Sequence, residues 1–439
     1  MNKRRRNVLL INPPSPEGTT ANREGVAGLG VLYPSPEGFL YPAHTLASVA
    51  SVLRQAGYRA MVLDMASWQA TPLLPARIIK TQNWDSVIIF MSHVTMEYDL
   101  EFARFLRQLS GCPPITLVGP ATRNLPPDLG GVPADTIILG EPEDALSEGR
   151  DQLLSWSEKG IPVIIRGPGC GLVEELDTIP YPAWDLVPSG KGGFLTVFGS
   201  KGCDRRCGYC PYVIAQGDRL RARSVDSIVE EVDWLAENFP VRRVMFRDIV
   251  FARDDERVVA LCEKLLKPKR PAIQWECESH PLDFRPELLT LMRRAGCVEI
   301  KMGLETAHVD LLQRWSRVGT PDEAGIYLDR VASILQTCSR IGMRCRLFLM
   351  VGVPGQTQES VQATLSYLSS VRPRMVSVKT FHPYPGISMT GDPGDPGDAS
   401  VFSQLLQSCQ APVSNGQSMS FFHSFLRLSR QRRGVRANV

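Results

Sequence analysis

The chain lacks the features that mark membrane and exported proteins. No apolar run in its 439 residues approaches the roughly eighteen that a membrane-spanning helix needs. The basic residues at positions 3–6 lead into only four apolar residues, Val8 to Ile11, which are too few for the core of a signal peptide. Eleven cysteines, an odd number, do not suit a complete disulfide framework. We therefore expect a cytoplasmic protein with reduced thiols and no membrane span.

The chain also lacks an excess of basic residues inside its fold. The net charge is +3, but nine Lys and Arg residues lie within positions 3–6 and 427–436, where no acid accompanies them. The remainder of the chain is therefore net acidic. Because a nucleic-acid groove carries basic residues within the fold, we expect no nucleic-acid partner and interpret the two basic ends as solubilising segments.

The composition is that of a globular protein, with 43% hydrophobic and 22% charged residues and enough chain for two or three domains. In residues 1–155, apolar runs alternate with helical patterns. The predicted strands are Val8–Ile11, Arg59–Leu63, Ser86–Phe90, Ile115–Val118 and Thr136–Leu139, and the predicted helices are His44–Ala56, Asp99–Leu109 and Glu143–Leu154. Continuous apolar strands separated by helices predict a doubly wound, Rossmann-like parallel sheet, which binds ligands at the carboxyl ends of its strands.

A second series of strands and helices follows a linker rich in Gly and Pro, residues 156–193. Its predicted strands are Phe194–Phe198, Arg243–Phe246, Ile273–Cys277, Val298–Met302, Arg344–Val351 and Met375–Thr380, with helices at Val225–Asn238 and Glu359–Leu368. Six βα units are too few for a closed eight-unit barrel, so an α/β fold with a partial (β/α)6 TIM-type barrel over residues 194–386 is expected. Residues 387–439 form a short C-terminal extension, with a turn-prone acidic loop at 391–398, one or two helices and a basic tail.

Three cysteines, Cys203, Cys207 and Cys210, follow the first predicted strand of this barrel with the spacing C-x3-C-x2-C. Three thiolates on one short loop can bind three irons of a four-iron cluster and leave the fourth iron open. Zinc and simple buried thiols are the alternatives, but structural zinc takes four closed ligands, and no second C-x2-C or nearby His pair completes the set. The other eight cysteines stand singly and are expected to be small buried hydrophobes, although a hydrogen-donating role for one of them stays open.

With Tyr209 just before the last cysteine, this pattern resembles the radical S-adenosylmethionine (SAM) superfamily. Further segments resemble the family's motifs in order: Phe246–Phe251 after the second barrel strand, Gly303–Thr306 after the fourth, Val351–Gly355 after the fifth and His382–Gly386 after the sixth. The resemblance covers residues 194–386. It implies a [4Fe-4S] cluster bound by the three cysteines, and SAM as a cofactor that is cleaved to a 5′-deoxyadenosyl radical. Tyr209 is expected to pack against adenine rather than react.

The resemblance also implies a set of SAM-binding residues. They are Tyr209, Asp248, Glu278, Ser279, Glu305, Gly352, Val353 and Pro354. Asp248 is expected to hold the methionyl amine, with a helix N-cap or a surface acid as the alternative. Glu278 and Ser279 are expected at the ribose hydroxyls or the methionyl group, although His280 stands near where relatives often have Arg. Glu305 can equally cap the helix that follows it.

The N-terminal domain, together with the linker sequence at 176–185, LDTIPYPAWD, resembles the cobalamin-binding branch of that superfamily. Asn12–Pro14, the segment 42–58 and Leu139–Glu143 resemble further landmarks of this branch. The resemblance implies that cobalamin lies over the carboxyl ends of the strands, held by backbone groups and small residues. The residues expected there are Ser92, Val94, Thr95, Gly119 and Gly140. A nucleotide-binding or ligand-free domain of the same fold is the alternative.

A histidine ligand below the cobalt is not expected in this chain. The Asp-x-His-x-x-Gly signature of cobalamin mutases is absent, and no histidine lies between the first strand and His44, which opens a helix. A weak or missing lower ligand favours reduction of the cobalt and release of its methyl group. His93, in the loop after the third strand, either faces the corrin or is a loop histidine with other partners.

The resemblance predicts a cobalamin-dependent C-methyltransferase that acts on an unactivated carbon of a small biosynthetic intermediate. Electrons are expected from a donor such as flavodoxin or ferredoxin. An oxidoreductase, cyclase or rearrangement enzyme of the same architecture is one alternative, and a non-catalytic iron–sulfur and cobalamin sensor is another. The complete barrel argues against the sensor. The pattern assigns no catalytic acid, base or hydrogen donor.

Overall fold

A computed structural model describes residues 5–389 of the chain, apart from 36–37, 69, 72, 127–128, 149, 158–159, 167–170, 189–192 and 269. The acidic loop and helices predicted beyond residue 390 lie outside the described residues. The chain divides into two compact units, unit 1 before Gly193 and unit 2 from Gly193 onward. No helix in the described part is long and apolar enough to cross a bilayer.

The core of unit 1 is a six-stranded parallel sheet with an added hairpin. Its strands are β1 (Asn7–Asn12), β2 (Thr19–Asn22), β3 (Val31–Pro34), β4 (Arg59–Asp64), β5 (Ser86–Phe90), β6 (Ile115–Val118), β7 (Thr136–Leu139) and β8 (Val163–Arg166). The sheet order is β4-β1-β5-β6-β7-β8, and β2 pairs with β3 as a separate antiparallel hairpin. Leu9, Ile89 and Leu117 are completely buried in the strands. The predicted doubly wound sheet is confirmed.

The helices of unit 1 follow the strands of this sheet. They are α1 (His44–Gln55), α2 (Met65–Trp68), α3 (Leu73–Thr81), α4 (Met96–Arg107) and α5 (Pro142–Glu148). Leu46, Val49 and Leu53 form the buried stripe of α1, which ends before Gly57, a residue with φ +85°. His44 opens this helix, as predicted, and its ring packs against Trp184 with the ring centroids 5.3 Å apart.

Unit 2 is built on a second six-stranded parallel sheet. Its strands are β9 (Phe194–Val197), β10 (Ser200–Lys201), β11 (Arg221–Ala222), β12 (Arg243–Phe246), β13 (Gln274–Glu278), β14 (Cys297–Glu305), β15 (Arg344–Val351) and β16 (Met375–Thr380). The sheet order is β16-β15-β14-β13-β12-β9, while β10 and β11 form a small antiparallel pair. The large sheet follows the chain order without a reversal, and among the described residues β9 and β16 do not pair with each other. The predicted partial barrel is therefore confirmed.

Helices cover one face of this sheet. They are α6 (Tyr212–Gln216), α7 (Val225–Asn238), α8 (Asp255–Leu265), α9 (Pro286–Arg294), α10 (Val309–Arg314), α11 (Pro321–Ile341) and α12 (Gln358–Val371). The side chains of Ser224, Asp254 and Thr320 accept a backbone N–H at the starts of α7, α8 and α11. Gly342, in the left-handed conformation with φ +65°, ends α11.

Candidate active site

The three cysteines of the C-x3-C-x2-C pattern lie on one loop of unit 2, between β10 and α6. Cys203 is buried, Cys207 and Cys210 are half-buried, and all three are free thiols. Gly202, with φ +85°, turns the chain just before Cys203, and a Cβ there would lie 2.0 Å from the carbonyl oxygen of Arg219. The loop therefore needs glycine where it leaves β10.

N–H groups act on the three sulfurs. Nη1 of Arg317 donates to Sγ of Cys207 at 3.8 Å, and the backbone amides of Arg205 and Tyr212 partly offset the effect of burial on the pKa of the Cys203 and Cys210 thiols. Burial raises the pKa of the Cys203 and Cys210 thiols, so deprotonation of both requires positive charge close to them. Because a coordinating metal deprotonates thiols and N–H donors stabilise the thiolates, these residues fit a metal cluster.

The arrangement argues against the alternative of a single zinc ion. In the described part of the chain, no three His, Cys, Asp or Glu side chains are arranged to hold one metal ion. A zinc site needs its sulfurs about 2.3 Å from one common point. A four-iron cluster places each cysteine on a different iron and so needs wider spacing. The donor set therefore suits the cluster better than zinc.

Arg317 is a buried residue of the site that the sequence analysis missed. Its side chain is 10% exposed, Nη2 donates to the Gly303 carbonyl at 2.6 Å, and Nε donates to the Tyr327 hydroxyl at 3.1 Å. An Oε1 of Glu305 lies 4.0 Å from Nη2. The guanidinium thus joins the cysteine loop, the end of β14 and α11. No sequence motif identifies Arg317, because an arginine in a segment between two helices is usually a surface residue.

Glu305 ends β14 in an uncommon backbone conformation, with φ +63°. The pKa of its carboxyl is raised to about 7, mainly by burial and to a lesser degree by the charge of Glu278, while Arg317 opposes the rise. A Cβ at Gly303 would lie 2.0 Å from the Glu305 carboxylate, so this close approach requires glycine. The alternative of a helix cap is wrong, because the N-cap of α10 is His308 and no side chain caps that helix.

Asp248 is fully buried and contacts residues just after β9 and in the first turn of α8. Its carboxylate accepts from the Gly199 N–H at 2.7 Å and the Ser200 hydroxyl at 2.6 Å, and it lies 3.5 Å from Nη2 of Arg257. Both alternatives for this residue are wrong, because it is not at the surface and the N-cap of α8 is Asp254. Contact of Asp248 with the methionyl amine stays a prediction.

The end of β13 places Glu278 and Ser279 side by side. Glu278 is half-buried, and burial raises the pKa of its carboxyl while Lys301 opposes this. The Ser279 hydroxyl accepts from the Ala252 N–H and donates to Asp283, both at 3.1 Å, so it already has two protein partners. His280 is buried, its Nδ1 accepts a backbone N–H, and burial holds its pKa well below the usual value.

Trp315 connects two of the segments predicted to bind adenine, and the sequence analysis did not identify it. Its ring packs edge-on against Tyr209 with centroids 6.0 Å apart, and its Nε1 donates to the Pro354 carbonyl at 3.4 Å. Gly352 has φ +73°, and Val353 beside it is buried. The structure therefore brings the cysteine loop and the turn after β15 together, as the prediction that both segments bind SAM requires.

In unit 1, a buried ion pair lies at the carboxyl end of β5. Arg23 and Asp99 are both inaccessible to solvent, with Nη2 and Oδ1 2.7 Å apart. Asp99 also accepts from the Ser92 N–H at 3.2 Å and from the Thr95 hydroxyl at 2.6 Å. The hydroxyls of Ser92 and Thr95, predicted to contact cobalamin, lie 2.7 Å apart, so both side chains already have protein partners.

The other predicted cobalamin contacts lie at the same edge of the sheet. Gly119 and Gly140 follow β6 and β7 with φ +114° and +104°, and Val94 is half-buried after β5. A Cβ at Gly119 would lie 2.4 Å from the Met91 carbonyl oxygen, and one at Gly140 would lie 2.1 Å from that of Gly171. Close backbone packing explains both glycines without a ligand. The cobalamin contacts stay predictions.

His93 lies at this edge in a short 3₁₀ helix after β5. Its Nδ1 lies 3.4 Å from Nδ2 of Asn124, and burial lowers the pKa of its imidazole. The neutral ring thus has a protein partner on one nitrogen. This contact supports the interpretation of His93 as a loop histidine.

Comparisons with known proteins relate the two units to other chains. The family model of the radical SAM superfamily matches residues 197–368, which lie in unit 2. A curated relative, the uncharacterized methyltransferase PH0819 of Pyrococcus horikoshii, is 26% identical over 402 residues, which cover 86% of this chain and 81% of the relative.

Two solved structures share the fold. One is the radical SAM methyltransferase TsrM from Kitasatospora setae, with a TM-score of 0.65 and 18% identity, covering 88% of this chain and 75% of TsrM. The other is OxsB, a cobalamin-dependent SAM radical enzyme, with a TM-score of 0.62 and 14% identity, covering 99% of this chain but only 62% of OxsB. The family match thus identifies a radical SAM domain at residues 197–368, and the chain as a whole is similar in fold to these two enzymes.

Proposed function

We propose that this protein is a cobalamin-dependent radical SAM enzyme that transfers a methyl group to carbon. One observation carries the proposal: three free cysteine thiols lie on one loop at the carboxyl end of a six-stranded parallel sheet, and Arg317 donates to the sulfur of one of them, Cys207. The similar TsrM and OxsB structures contain cobalamin, and TsrM also contains a [4Fe-4S] cluster. The doubly wound sheet of unit 1 supplies the kind of strand edge on which a large planar cofactor binds.

The chain's own residues have distinct roles in this proposal. Cys203, Cys207 and Cys210 bind the cluster. Arg317 places positive charge beside Cys207, to whose sulfur it donates. Tyr209 packs with Trp315 to form an apolar wall that excludes water from the site. When bound, the cluster, SAM and cobalamin supply an electron, a carbon-centred radical and a methyl group.

Iron content and SAM cleavage test the cluster. Anaerobically reconstituted protein should bind about four irons and form 5′-deoxyadenosine when reduced in the presence of SAM. The triple variant Cys203→Ala, Cys207→Ala, Cys210→Ala should lose both. Cys112→Ala, which removes a buried thiol from unit 1, is the matched control and should retain both. Normal iron content in the triple variant would contradict the assignment.

Label transfer separates methylation from the alternatives. With SAM deuterated in its methyl group, a methyltransferase yields a product that carries the label, whereas an oxidase or cyclase yields a product that has lost hydrogen. A rearrangement enzyme yields an isomer of its substrate. A sensor forms no 5′-deoxyadenosine under the same conditions.

We further propose a small-molecule substrate and an electron donor of the flavodoxin or ferredoxin type, in a reducing cytoplasm. The nine cysteines within the described residues are all free thiols, which supports a reducing compartment. Reduction by purified flavodoxin or ferredoxin in place of dithionite, followed by 5′-deoxyadenosine analysis, tests the donor.

A further inference from the structure

The sheet of unit 2 has an apolar face and a charged face. Successive side chains on a strand point to opposite sides of the sheet. On β14, Ile300 and Met302 are completely buried, whereas Glu299 and Lys301 alternate with them. On β15, buried Leu347 likewise follows half-buried Arg346. We call the side that carries these charges, opposite the helix-covered side, the inner face.

Cations outnumber carboxylates on the inner face. The cations on the strands or directly after them are Arg243, Arg247, Lys301, Arg344, Arg346 and Lys379. The carboxylates are Glu276, Glu278 and Glu299, apart from Glu305, which faces Arg317. Six positive charges therefore face three negative ones in this part of the described chain.

Two of the three carboxylates are already shared by pairs of cations. The nitrogen-to-oxygen distances are 2.7 Å for Lys301–Glu276, 3.3 Å for Arg243–Glu276, 2.9 Å for Arg344–Glu299 and 3.0 Å for Arg346–Glu299. Each carboxylate can neutralise only one positive charge. The ion pairs thus hold the side chains in place, but they leave the inner face with more positive than negative charge.

Two cations of this face have donor capacity for a ligand. Lys379 makes no ion pair within 4.0 Å among the described residues, and its Nζ lies 5.7 Å from the centroid of the half-buried Phe348 ring. Arg346 donates through Nε to Glu299 and through Nη1 to the Ser377 hydroxyl at 3.3 Å. Because an arginine has five N–H donors, further donors of its guanidinium can serve a bound group.

The cations of the inner face repel one another. Burial lowers the pKa of Lys379, and the charges of Arg346 and Lys301 lower it further, while Glu278 opposes them. This unfavourable repulsion is relieved when an anion binds among them. A dianion offsets more of this excess of three positive charges than a monoanion does.

We propose that the inner face binds the substrate through a phosphate or phosphonate group, with Lys379 and Arg346 as its main protein contacts. The paired N–H groups of arginine match the oxygens of such a group. The inference rests on the proposed function for the reaction, but the anion site itself does not depend on it.

The position of this site suits a substrate anchor. Lys301 precedes Gly303 by two residues on β14, so its position lies roughly 7 Å along the strand from the backbone that contacts Arg317. A phosphate or phosphonate group bound at the level of Lys301 leaves the remainder of the substrate pointing toward the carboxyl ends of the strands. The cysteine loop lies at those ends.

Anaerobic equilibrium dialysis of the full chain with labelled inorganic phosphate, in the absence of SAM, tests the site. Lys379→Met should weaken phosphate binding about tenfold or more, because it removes a charged donor. Lys379→Arg should keep most of the affinity. Lys267→Met, which removes an exposed lysine just after α8, is the matched control and should bind like the wild type. Thermal unfolding of each variant confirms that it is folded.

Competition identifies the class of anion. Methylphosphonate should displace phosphate at similar concentrations, and acetate should require much higher ones. The proposal is overturned if the wild type binds no phosphate, if Lys379→Met binds it equally well, or if acetate competes as effectively as methylphosphonate. Formation of 5′-deoxyadenosine, measured on portions of the same protein after SAM and a reductant are added, tests the proposed function separately, since its absence with intact phosphate binding would refute only the radical chemistry.

Discussion

Glu305 should make the stability of unit 2 fall as the pH rises, which is the reverse of the usual behaviour of a carboxylate. Its side chain is 11% exposed, and burial raises the pKa of its carboxyl from 4.5 to about 7 despite Arg317. Folding therefore favours the protonated carboxyl. The stabilising contribution is fully present below about pH 4.5 and is lost as the pH rises through about 7.

The size of the effect follows from the difference between the folded and unfolded pKa values. A rise from 4.5 to about 7 corresponds to about 3 kcal/mol of unfolding free energy. Glu305→Gln keeps the shape of the side chain and stays neutral at every pH. At pH 8 the variant should be more stable than the wild type by up to about 3 kcal/mol, and at pH 5 the difference should be small.

Urea unfolding of the metal-free, reduced protein at the two pH values measures this difference. Glu237→Gln, at an exposed position near the end of α7, is the matched control and should shift neither curve by more than about 0.5 kcal/mol. The reasoning fails if Glu305→Gln is no more stable than the wild type at pH 8. It also fails if the stability difference is the same at pH 5.

Three further changes test other parts of the structure. Asp248→Asn should lower the free energy of unfolding by about 3 kcal/mol, because it leaves the buried Arg257 without its carboxylate, and a loss below about 1 kcal/mol in urea unfolding would contradict this. Gly140→Ala should destabilise unit 1 by about 2 kcal/mol or more, since its φ is +104° and its Cβ would lie 2.1 Å from the Gly171 oxygen; thermal unfolding at the wild-type midpoint would refute that packing argument. The cobalt(II) form of the cobalamin-loaded protein should show no nitrogen splitting in electron paramagnetic resonance, and a splitting that disappears in His93→Ala would show that the histidine is a ligand.

Most strands of the two large sheets could be predicted from the sequence almost residue by residue. The strands β5, β6, β7, β12, β15 and β16 have the predicted bounds. In β5, β6 and β7, which are buried within unit 1, nearly every residue is apolar, whereas β15 alternates buried and less buried residues, and both patterns differ plainly from amphipathic helices. The architecture follows from these runs because alternating strands and helices allow few other arrangements.

Strand β8 and the β2–β3 hairpin could not be predicted in the same way. Strand β8 lies in the stretch predicted as linker, and its residues Val163 and Ile164 are 45% and 47% exposed at the edge of the sheet. The β2–β3 hairpin lies in a segment rich in turn residues. In both cases pairing with a distant or flanking strand, rather than local pattern, determines the structure.

The candidate site was only partly visible in the sequence. The cysteine loop could be identified because its ligands are adjacent and their spacing is distinctive. Arg317 and Cys207 are 110 residues apart in the sequence, and Arg23 and Asp99 are 76 apart. No local sequence pattern could therefore predict either contact. Asp248 was identified, but its bonds to Gly199 and Ser200 emerge only from the fold.

The open edges of the unit 2 sheet affect which molecules its inner face can accommodate. Among the described residues β9 and β16 do not bond to each other, so the six strands form a trough with a lateral slit rather than a sealed cylinder. A sealed cylinder admits only what fits its bore. The proposed anion site would then hold the charged head of a long or branched molecule without requiring that the whole molecule fit a closed bore.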